Sequence, residues 1–355
     1  MANLRDIKKR ISSVNSTKQI AHTMEMVSTA KIRRALENAY ASEPYKDAIK
    51  LTLIYLAESS KPSERELKRR NKHAIKAEKK MKKTIAKAEK RGRSVSQVKE
   101  KHRKKNIKSM GESQHMQNIF LQSHDEVKRA VLIVIASDRG LAGGFNISTQ
   151  RAALEYSKEL ESKGVEVSFI TCGKKPSEFF KAQGVDIASS YTGKSSDPDV
   201  YMAEEISAWL VGGFLKEEID EVTLFYHHAK SRVEQVSIKE QLLPLDPEVF
   251  RQIPGSDYQE NLREHYGELE FEYEPSPSEI LMFLIPSYVR SVLYHALLDS
   301  AAAEHGARRR AMSSAVDNAT EIISSLNRSY NRIRQSTITT ELSEIVGGAA
   351  ALEDL

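Results

Sequence analysis

The sequence predicts an α/β fold joined to a coiled coil: a long antiparallel two-helix coiled coil from the two termini, with a Rossmann-like α/β domain between them. Apolar residues recur at helical spacing over 1–59 and again over 278–355, and Gly and Pro are scarce in both stretches. From 118 to 243, apolar strands alternate with short helices. The two terminal helices are therefore predicted to pair with each other.

The N-terminal helix, 1–59, begins with the spacing of a coiled-coil seam. Its first seam residues are Leu4, Ile7, Ile11 and Val14, at steps of three, four and three. This is the heptad pattern, and beyond it the stripe is predicted to drift to Ala21, Met24 and Val27. Pro44 lacks a backbone N–H and is predicted to kink the helix or restart it.

The C-terminal helix, 278–355, is too long to be covered by one small domain. At 1.5 Å per residue, 287–346 alone would span about 90 Å, so part of it must project. Its predicted apolar stripe is Ala319, Ile322, Leu326, Tyr330, Ile333 and Thr337. Because the α/β domain joins the inner ends of both helices, the simplest pairing within one chain is antiparallel.

A strongly basic segment, 60–117, follows the first helix. Its core, 61–108, holds 21 Lys or Arg against 5 Glu, within a chain whose net charge is +5. Good helix formers predict a solvated helical hairpin, with disorder as the alternative. Such a charge could bind nucleic acid, anionic headgroups or an acidic partner, but the segment has no aromatic residue for base stacking. A solvated protrusion is the favoured interpretation.

The central region, 118–243, has the order of a Rossmann-like domain. A continuous apolar strand at 130–136 is of the kind that is buried on both faces of a sheet. Further strands are predicted at 165–171, 185–190, 221–228 and 235–242, with helices ending near 164 and spanning 176–183 and 199–216. A Pro-rich connector, 244–277, leads back to the long helix.

No catalytic or cofactor motif emerges. Gly140, Gly143 and Gly144 follow a strand, but GLAGG is not the GxGxxG of dinucleotide sites, and there is no P-loop, GxSxG or HExxH. A tight turn is predicted instead, with no cofactor, metal or nucleotide. Cys172 is the one cysteine and is predicted to be a packed, inert thiol. No apolar run of membrane-spanning length and no signal peptide is recognised, which favours a soluble intracellular chain.

Three segments carry a resemblance to a known family. They are TKQIAHTMEMVSTAKIRR at 17–34, RIRQSTITTELSEIVGGAAAL at 332–352 and SDRGLAGGFN at 137–146. The chain resembles the γ subunit of the rotary F-type ATP synthase, of the bacterial type, over 1–59 and 118–355. The basic segment departs from that pattern, so the resemblance implies that it contains an extra insert of unknown role.

The resemblance implies a central-stalk rotor without catalytic residues, which couples rotation of a membrane c-ring to conformational change at catalytic β subunits. It implies as partners a collar of alternating α and β subunits, the ε subunit and a proton-driven c-ring. It also implies a peripheral position on the cytoplasmic face of the bacterial plasma membrane. Residues that match the family's collar contacts are Met24, Lys31, Arg33, Arg34, Arg334, Gln335 and Thr339. The alternatives are a free-standing Rossmann-like binding protein and a basic nucleic-acid-binding scaffold.

Overall fold

A computed structural model describes residues 4–59, 120, 127–245, 274 and 277–353. The helical hairpin predicted within 60–117 and most of the connector 244–277 lie outside these residues. Two long helices frame the described chain: α1, Leu4–Ser59, and a C-terminal helix, Pro277–Glu353, called α5 below. A small α/β domain lies between them, as predicted. We call this domain the foot, and the paired helices beyond it the shaft.

The foot holds a five-stranded sheet in the order β3-β2-β1-β4-β5. Its strands are β1 Arg129–Ile135, β2 Glu166–Cys172, β3 Ile187–Tyr191, β4 Glu221–His228 and β5 Val236–Leu243. Its helices are α2 Phe145–Ser162, α3 Lys174–Gln183 and α4 Val200–Leu215. The first four strands are parallel and β5 is antiparallel to β4. The predicted strands and helices are confirmed to within about two residues at each end.

Helices cover both faces of the sheet, which gives the three layers of a Rossmann-like domain. On one face, α2 and α3 pack on alternate residues of β1 through buried side chains such as Ala153 and Phe180. On the other, α4, the end of α1 and the start of α5 share a larger core, in which Phe120 stacks on Phe214 with ring centroids 5.1 Å apart. The roots of both long helices are therefore part of the foot's core.

Helix α1 passes through Pro44 without restarting. Of the two predicted outcomes, a kink or a restart, the restart is wrong, and the reason lies in the packing on either side of the proline. Pro44 is exposed, whereas Ala39 and Ile49 are buried against α5 and the foot. One missing hydrogen bond on the solvent face costs less than the apolar burial that continues past it.

The two long helices run antiparallel. The Ser42 hydroxyl lies 2.8 Å from His295 Nδ1, and earlier α1 residues meet later α5 residues: Ile32 and Leu36 pack with Ala303 and Ala307. A single heptad seam continues along the whole of α1. The buried or half-buried positions at alternating steps of three and four are Leu4, Ile7, Ile11, Val14, Lys18, Ala21, Glu25, Ser28, Ile32, Ala35, Ala39, Ser42, Lys46, Ile49, Leu53 and Leu56.

This seam corrects one expectation. Val27 is 52% exposed and Met24 is only half-buried, so the buried stripe of α1 does not shift to these two residues. The seam instead keeps its heptad register through Glu25 and Ser28. Polar residues occupy those seam positions, and an apolar pattern therefore missed them. Ser28 satisfies its hydroxyl locally, 2.8 Å from the Met24 carbonyl.

Helix α5 mirrors this seam beyond the foot. Its buried or half-buried positions at alternating steps of four and three are Met312, Val316, Ala319, Ile323, Leu326, Tyr330, Ile333 and Thr337. Five of the six predicted stripe residues are confirmed; Ile322 is wrong, since it is 49% exposed and Ile323 takes its place. From 338 to 347 every residue is exposed, because the described part of α1 begins at Leu4, about level with Ile333, and does not reach them.

One window of α5 is apolar enough to cross a membrane by length and composition alone, which the sequence analysis did not recognise. However, 59% of that window is buried inside the protein. The alanine run of α5, at 301–303 and 307, is buried, and Ala302, Ala303 and Ala307 let α1 and the β1–α2 loop approach closely.

Gly173, directly after β2, is expected to be intolerant of a side chain. Its φ is +116°, and an added Cβ would lie 2.3 Å from the Ala136 carbonyl oxygen. We expect Gly173→Ala to lower the free energy of unfolding by at least about 2 kcal/mol. The control is Gly184→Ala, where φ is +70° but the space is open, with an expected cost of about 1 kcal/mol. Urea unfolding of both variants checks the difference, and equal costs would contradict it.

Candidate functional site

The carboxyl ends of β1, β2 and β3 are the place where an open parallel sheet usually binds a ligand. Here that crevice is closed. Between Cys172, Gly173 and Glu304 the remaining space is about 10 Å³, enough for one water at most. The tight turn predicted for 137–146 is observed, with Leu141 and Gly143 both at positive φ. The Ser137 N–H and hydroxyl both bond to the Asn146 side chain, so the turn is tied to the first turn of α2.

Asp138 links two loops at this edge. Its carboxylate accepts N–H bonds of 2.9 Å from Lys174, Gly193 and Ser195, and its own N–H donates to Ser195 Oγ. Burial alone would raise the pKa of Asp138, but these donors hold it below its usual value. The carboxylate therefore serves as an anchor for backbone donors and not as a proton-transfer group.

The two adjacent histidines at the end of β4 face opposite sides of the sheet, as predicted. His227 is buried toward α2, between the hydroxyls of Ser148 and Thr149 at 3.1 and 2.8 Å. His228 faces α5, where its Nδ1 lies 2.7 Å from an oxygen of Asp299. They share no site, and among the described residues no group of His, Cys, Asp and Glu could hold a metal ion.

His227 is expected to make stability depend on pH. Burial lowers its pKa to about 4, against about 6.5 in an unfolded chain, so the unfolded state takes up a proton first as pH falls. This stabilisation is complete above pH 6.5 and is lost toward pH 4, by about 2 kcal/mol between pH 7.5 and 5. Urea unfolding at both pH values checks this. His227→Gln should shrink the difference, while the control His22→Gln, on the exposed face of α1, should not.

Cys172 is confirmed as a packed thiol at a strand end. It is buried, and burial raises its pKa to about 12, so it holds no reactive thiolate near neutral pH. A wider groove of about 400 Å³ lies at the opposite edge of the sheet, beside Trp209 and Gly212. Its walls mix Arg129 and Lys216 with carboxylates, so charge gives it no single preferred ligand.

The predicted contact residues of α1 lie on the shaft close to the foot. Lys31 and Arg34 are exposed, and Arg33 is exposed while paired with Glu37 at 2.8 Å. Met24 is half-buried beside the seam, so only part of it is open to a partner. Three cations thus project from one stretch of α1, with Met24 two turns farther from the foot.

The predicted contact residues of α5 lie elsewhere. Arg334, Gln335 and Thr339 are exposed, and the Thr339 hydroxyl bonds back to the Gln335 carbonyl at 2.9 Å. Counting outward from the Ser42–His295 contact, Arg334 is level with the start of α1, about 30 Å along the shaft from Met24. The predicted residues therefore form two separate belts and not one site.

Exposed apolar residues extend both belts and were missed by the sequence analysis. Ile20 and Val27 project from α1 at 63% and 52% exposure, one heptad apart. Ile338, Leu342 and Ile345 follow one another on α5 at steps of four and three, one position out of register with its seam, and they are exposed among the described residues. The signal was available as apolar residues that continue on α5 past Thr337, but the sequence alone did not show where the partner helix begins.

The fold and the exposed belts indicate a class of protein. A long two-helix shaft, a foot whose ligand crevice is filled, and exposed belts along the shaft indicate a mechanical or scaffolding subunit whose work depends on other chains.

Comparison with known proteins places the chain more closely. A family model described as ATP synthase matches residues 3–352. The sodium ion specific ATP synthase gamma chain of Acetobacterium woodii is 33% identical, over 99% of both chains. The ATP synthase gamma chain of Geotalea uraniireducens is 35% identical, over 99% of this chain and 100% of that one. The chain belongs to the ATP synthase gamma chain family and has no catalytic role of its own.

Solved structures share the fold. One is a chain of the central stalk and c-ring of the Tetrahymena thermophila mitochondrial ATP synthase, with a TM-score of 0.51 and 19% identity over 83% of this chain and 99% of that one. Another, from the Euglena gracilis mitochondrial ATP synthase, has a TM-score of 0.54 and 14% identity over 98% of this chain and 94% of that one.

Proposed function

We propose that the chain is the central-stalk rotor of a proton-translocating F-type ATP synthase, and that α1 and the outer part of α5 form a coiled-coil shaft inside a collar of α and β subunits. One observation carries this most directly: α5 extends past the start of α1 with all of 338–347 exposed. An apolar helix end of that kind needs a surrounding partner. Family membership makes the collar the natural one.

The shaft suits rotation because it is asymmetric and only weakly adhesive. The exposed cations of α1 and the exposed polar groups of α5 can form contacts that are individually weak and readily broken as the shaft turns. As the shaft turns, each catalytic β subunit meets a different face of it. Each face favours a different conformation, and the affinity for nucleotide follows. Nucleotide sites in this proposal belong to the collar and not to this chain.

We propose that Met24, Lys31, Arg33 and Arg34 contact an acidic segment of a β subunit, and that Arg334, Gln335 and Thr339 contact loops higher in the collar. The three α1 cations support this, since all three side chains are exposed on one stretch of the helix. Reversing all of them, by Lys31→Glu, Arg33→Glu and Arg34→Glu, is expected to slow assembly with the collar about ten-fold at low salt. The effect should shrink above about 0.5 M salt, where the Debye length is only a few ångströms.

Mixing purified chain with collar subunits, followed by light scattering or fluorescence, measures that rate. The matched control reverses three exposed cations on the outer helices of the foot, Arg151, Lys158 and Lys181. Equal slowing by both triple variants would contradict a specific acidic contact on α1.

The foot is proposed to bind ε and the c-ring, which would place the chain peripherally on the cytoplasmic face of a bacterial plasma membrane. Protons are the proposed coupling ion. One relative is named sodium ion specific, so synthesis driven by a pH gradient without sodium tests this choice. No role for nucleic acid is proposed.

Co-purification tests the function itself. A tagged chain expressed with its own operon is expected to bring down α and β subunits in a complex that hydrolyses ATP. A stable monomer that takes up a small ligand would support a free binding protein instead. Nucleic acid released by a salt step would support a scaffold.

We also infer that part of 60–117 is an insertion relative to shorter family members. The match that covers 99% of the Tetrahymena chain covers only 83% of this one, which supports the inference. We propose that this basic segment braces the rotor against acidic neighbours or headgroups. Unchanged assembly and coupling at low salt after deletion of 62–108 would contradict the brace.

A further inference from the structure

Helix α5 is held tightly at the point where it leaves the foot. The turn from Glu304 to Arg308 is buried, and the loops that follow β1, β3 and β4 all close on it. We call this turn and the three loops the α5 junction. Each loop uses a different contact, and each contact acts on a different residue of the turn.

The first contact is an ion pair whose arginine also hydrogen-bonds to a loop. Arg308 Nη1 lies 2.7 Å from Glu304 Oε1, and the two side chains are only 8% and 2% exposed. The second guanidinium nitrogen of Arg308 donates to the carbonyls of Arg139 and Gly140 in the β1–α2 loop, each at 3.4 Å. A planar guanidinium can hold a carboxylate and two carbonyls at once, which a lysine ammonium does less well.

The other two loops meet the opposite sides of the same turn. Ser196, in the β3–α4 loop, donates from its hydroxyl to Glu304 Oε1 at 3.4 Å. Gly306 lies against Gln235 in the β4–β5 loop so closely that an added Cβ would be 2.5 Å from Gln235 Nε2. Asp138 then ties the β1–α2 loop to the β3–α4 loop. The loops are thus joined to one another as well as to the helix.

Nothing in the sheet requires this arrangement. The strands are complete without it, and a buried ion pair by itself adds little to stability because desolvating both charges offsets their attraction. The arrangement fixes the orientation of α5, because polar contacts on several sides of one helical turn resist rotation and sliding of this helix against the foot. Apolar contacts alone would allow both more readily.

We propose that the α5 junction is the joint that makes foot and shaft turn as one body, with Glu304 and Arg308 as its positioning residues. The proposal rests on the rotor function proposed above. In that setting the c-ring drives the foot and the collar loads the shaft, so torque must cross from one to the other. If the junction were flexible, the foot would still bind the c-ring and the shaft would still contact the collar, but rotation would not be transmitted between them.

The test uses the complete membrane-bound complex and compares ATP-driven proton pumping with ATP hydrolysis. Arg308→Met keeps a long side chain but removes every polar contact that Arg308 makes in the junction. We expect it to lower the ratio of pumping to hydrolysis about three-fold, because Glu304 loses its charged partner and the β1–α2 loop its donor. Hydrolysis by the collar-and-chain complex, detached from the membrane, should stay within about two-fold of wild type, since the shaft inside the collar is intact.

Two further variants separate a joint from a simple structural ion pair. Glu304→Arg combined with Arg308→Glu restores the pair, but it aims a carboxylate at two carbonyls, so the ratio should stay low. Recovery of the ratio in this swap would overturn the proposal. Arg308→Lys should give an intermediate ratio, and it serves as the milder variant if Arg308→Met does not assemble; a wild-type ratio in either single variant would also overturn it.

The matched control is Glu159→Gln, which breaks another i,i+4 pair, Glu159–Lys163 at 2.6 Å, that lies on the surface of α2 alone. The ratio of pumping to hydrolysis in the Glu159→Gln complex should equal that of the wild-type complex. Failure of the wild-type chain to assemble with a collar would refute the rotor function. Normal assembly with an unchanged ratio in the Arg308 variants would refute only the joint.

Discussion

Replacing Leu326 with proline is expected to abolish coupled ATP synthesis while leaving the foot folded. Leu326 lies in the seam of the outer shaft, more than four turns beyond the junction at Arg308. Proline there removes a helical hydrogen bond and clashes with the preceding turn, at a local cost of about 3 kcal/mol or more. A kinked shaft no longer follows one axis, so rotation at the foot is not transmitted as an ordered sequence of faces.

The proline already present in α1 shows why the position of a proline matters. Pro44 lies on the exposed face of α1, and the buried contacts continue on either side of it. Leu326 instead faces the partner helix, where backbone and packing would fail together. Leu326→Ala is the matched control, because it removes the same apolar contact and keeps a helix former.

Synthesis rates of the membrane-bound complexes, normalised to the amount of chain assembled, check the pair of variants. We expect about ten-fold or greater loss for Leu326→Pro and less than about three-fold loss for Leu326→Ala. Equal losses would mean that seam packing matters and continuity of the rod does not. Thermal unfolding of the foot should be the same in both.

Much of the fold follows from local pattern. The strand β1 is an uninterrupted apolar run, and Asp199 caps α4 by accepting the Met202 N–H at 3.0 Å, near where the sequence placed the start of that helix. The long helices were visible as heptads. The predicted stripe of α1 left the seam where Glu25 and Ser28 occupy it, since a hydrophobic pattern cannot register a polar residue at a seam position.

The choice between Ile322 and Ile323 shows a different limit. Both are apolar and adjacent, so either continues the stripe within one heptad, and the register is decided by the partner helix. Val316 and Leu326 on either side fix it at Ile323 in the structure. Comparing the two possible registers over several heptads would have selected Ile323, because steps of three and four then hold from Met312 to Thr337.

The α5 junction could not be predicted from a single sequence. Arg308 and the carbonyls it bonds are separated by about 170 residues, and no local rule connects them. A weak signal was present: Glu304 interrupts an alanine run that is otherwise suited to close helix packing. A charge in such a place needs a partner, although only the fold shows which one. The contact residues proposed on the shaft came from the family resemblance. The structure adds that all but the half-buried Met24 are exposed and that they lie in two belts.

The central claim is that the tip of α5 turns inside the collar, and a cysteine at Thr339 tests it most directly. Thr339 is exposed beyond the end of the paired seam. The native Cys172 is buried, with a raised pKa, and therefore should not compete for oxidation. The matched control is a cysteine at Lys181, exposed on α3 of the foot.

With a second cysteine on a facing collar loop, oxidation of the Thr339→Cys complex should form a cross-link to α or β and reduce ATP turnover by about ten-fold or more, and reduction should restore it. The Lys181→Cys complex should keep its turnover throughout. Full cross-linking of Thr339→Cys with turnover unchanged, or no cross-link from any collar loop, would contradict a shaft that rotates within the collar.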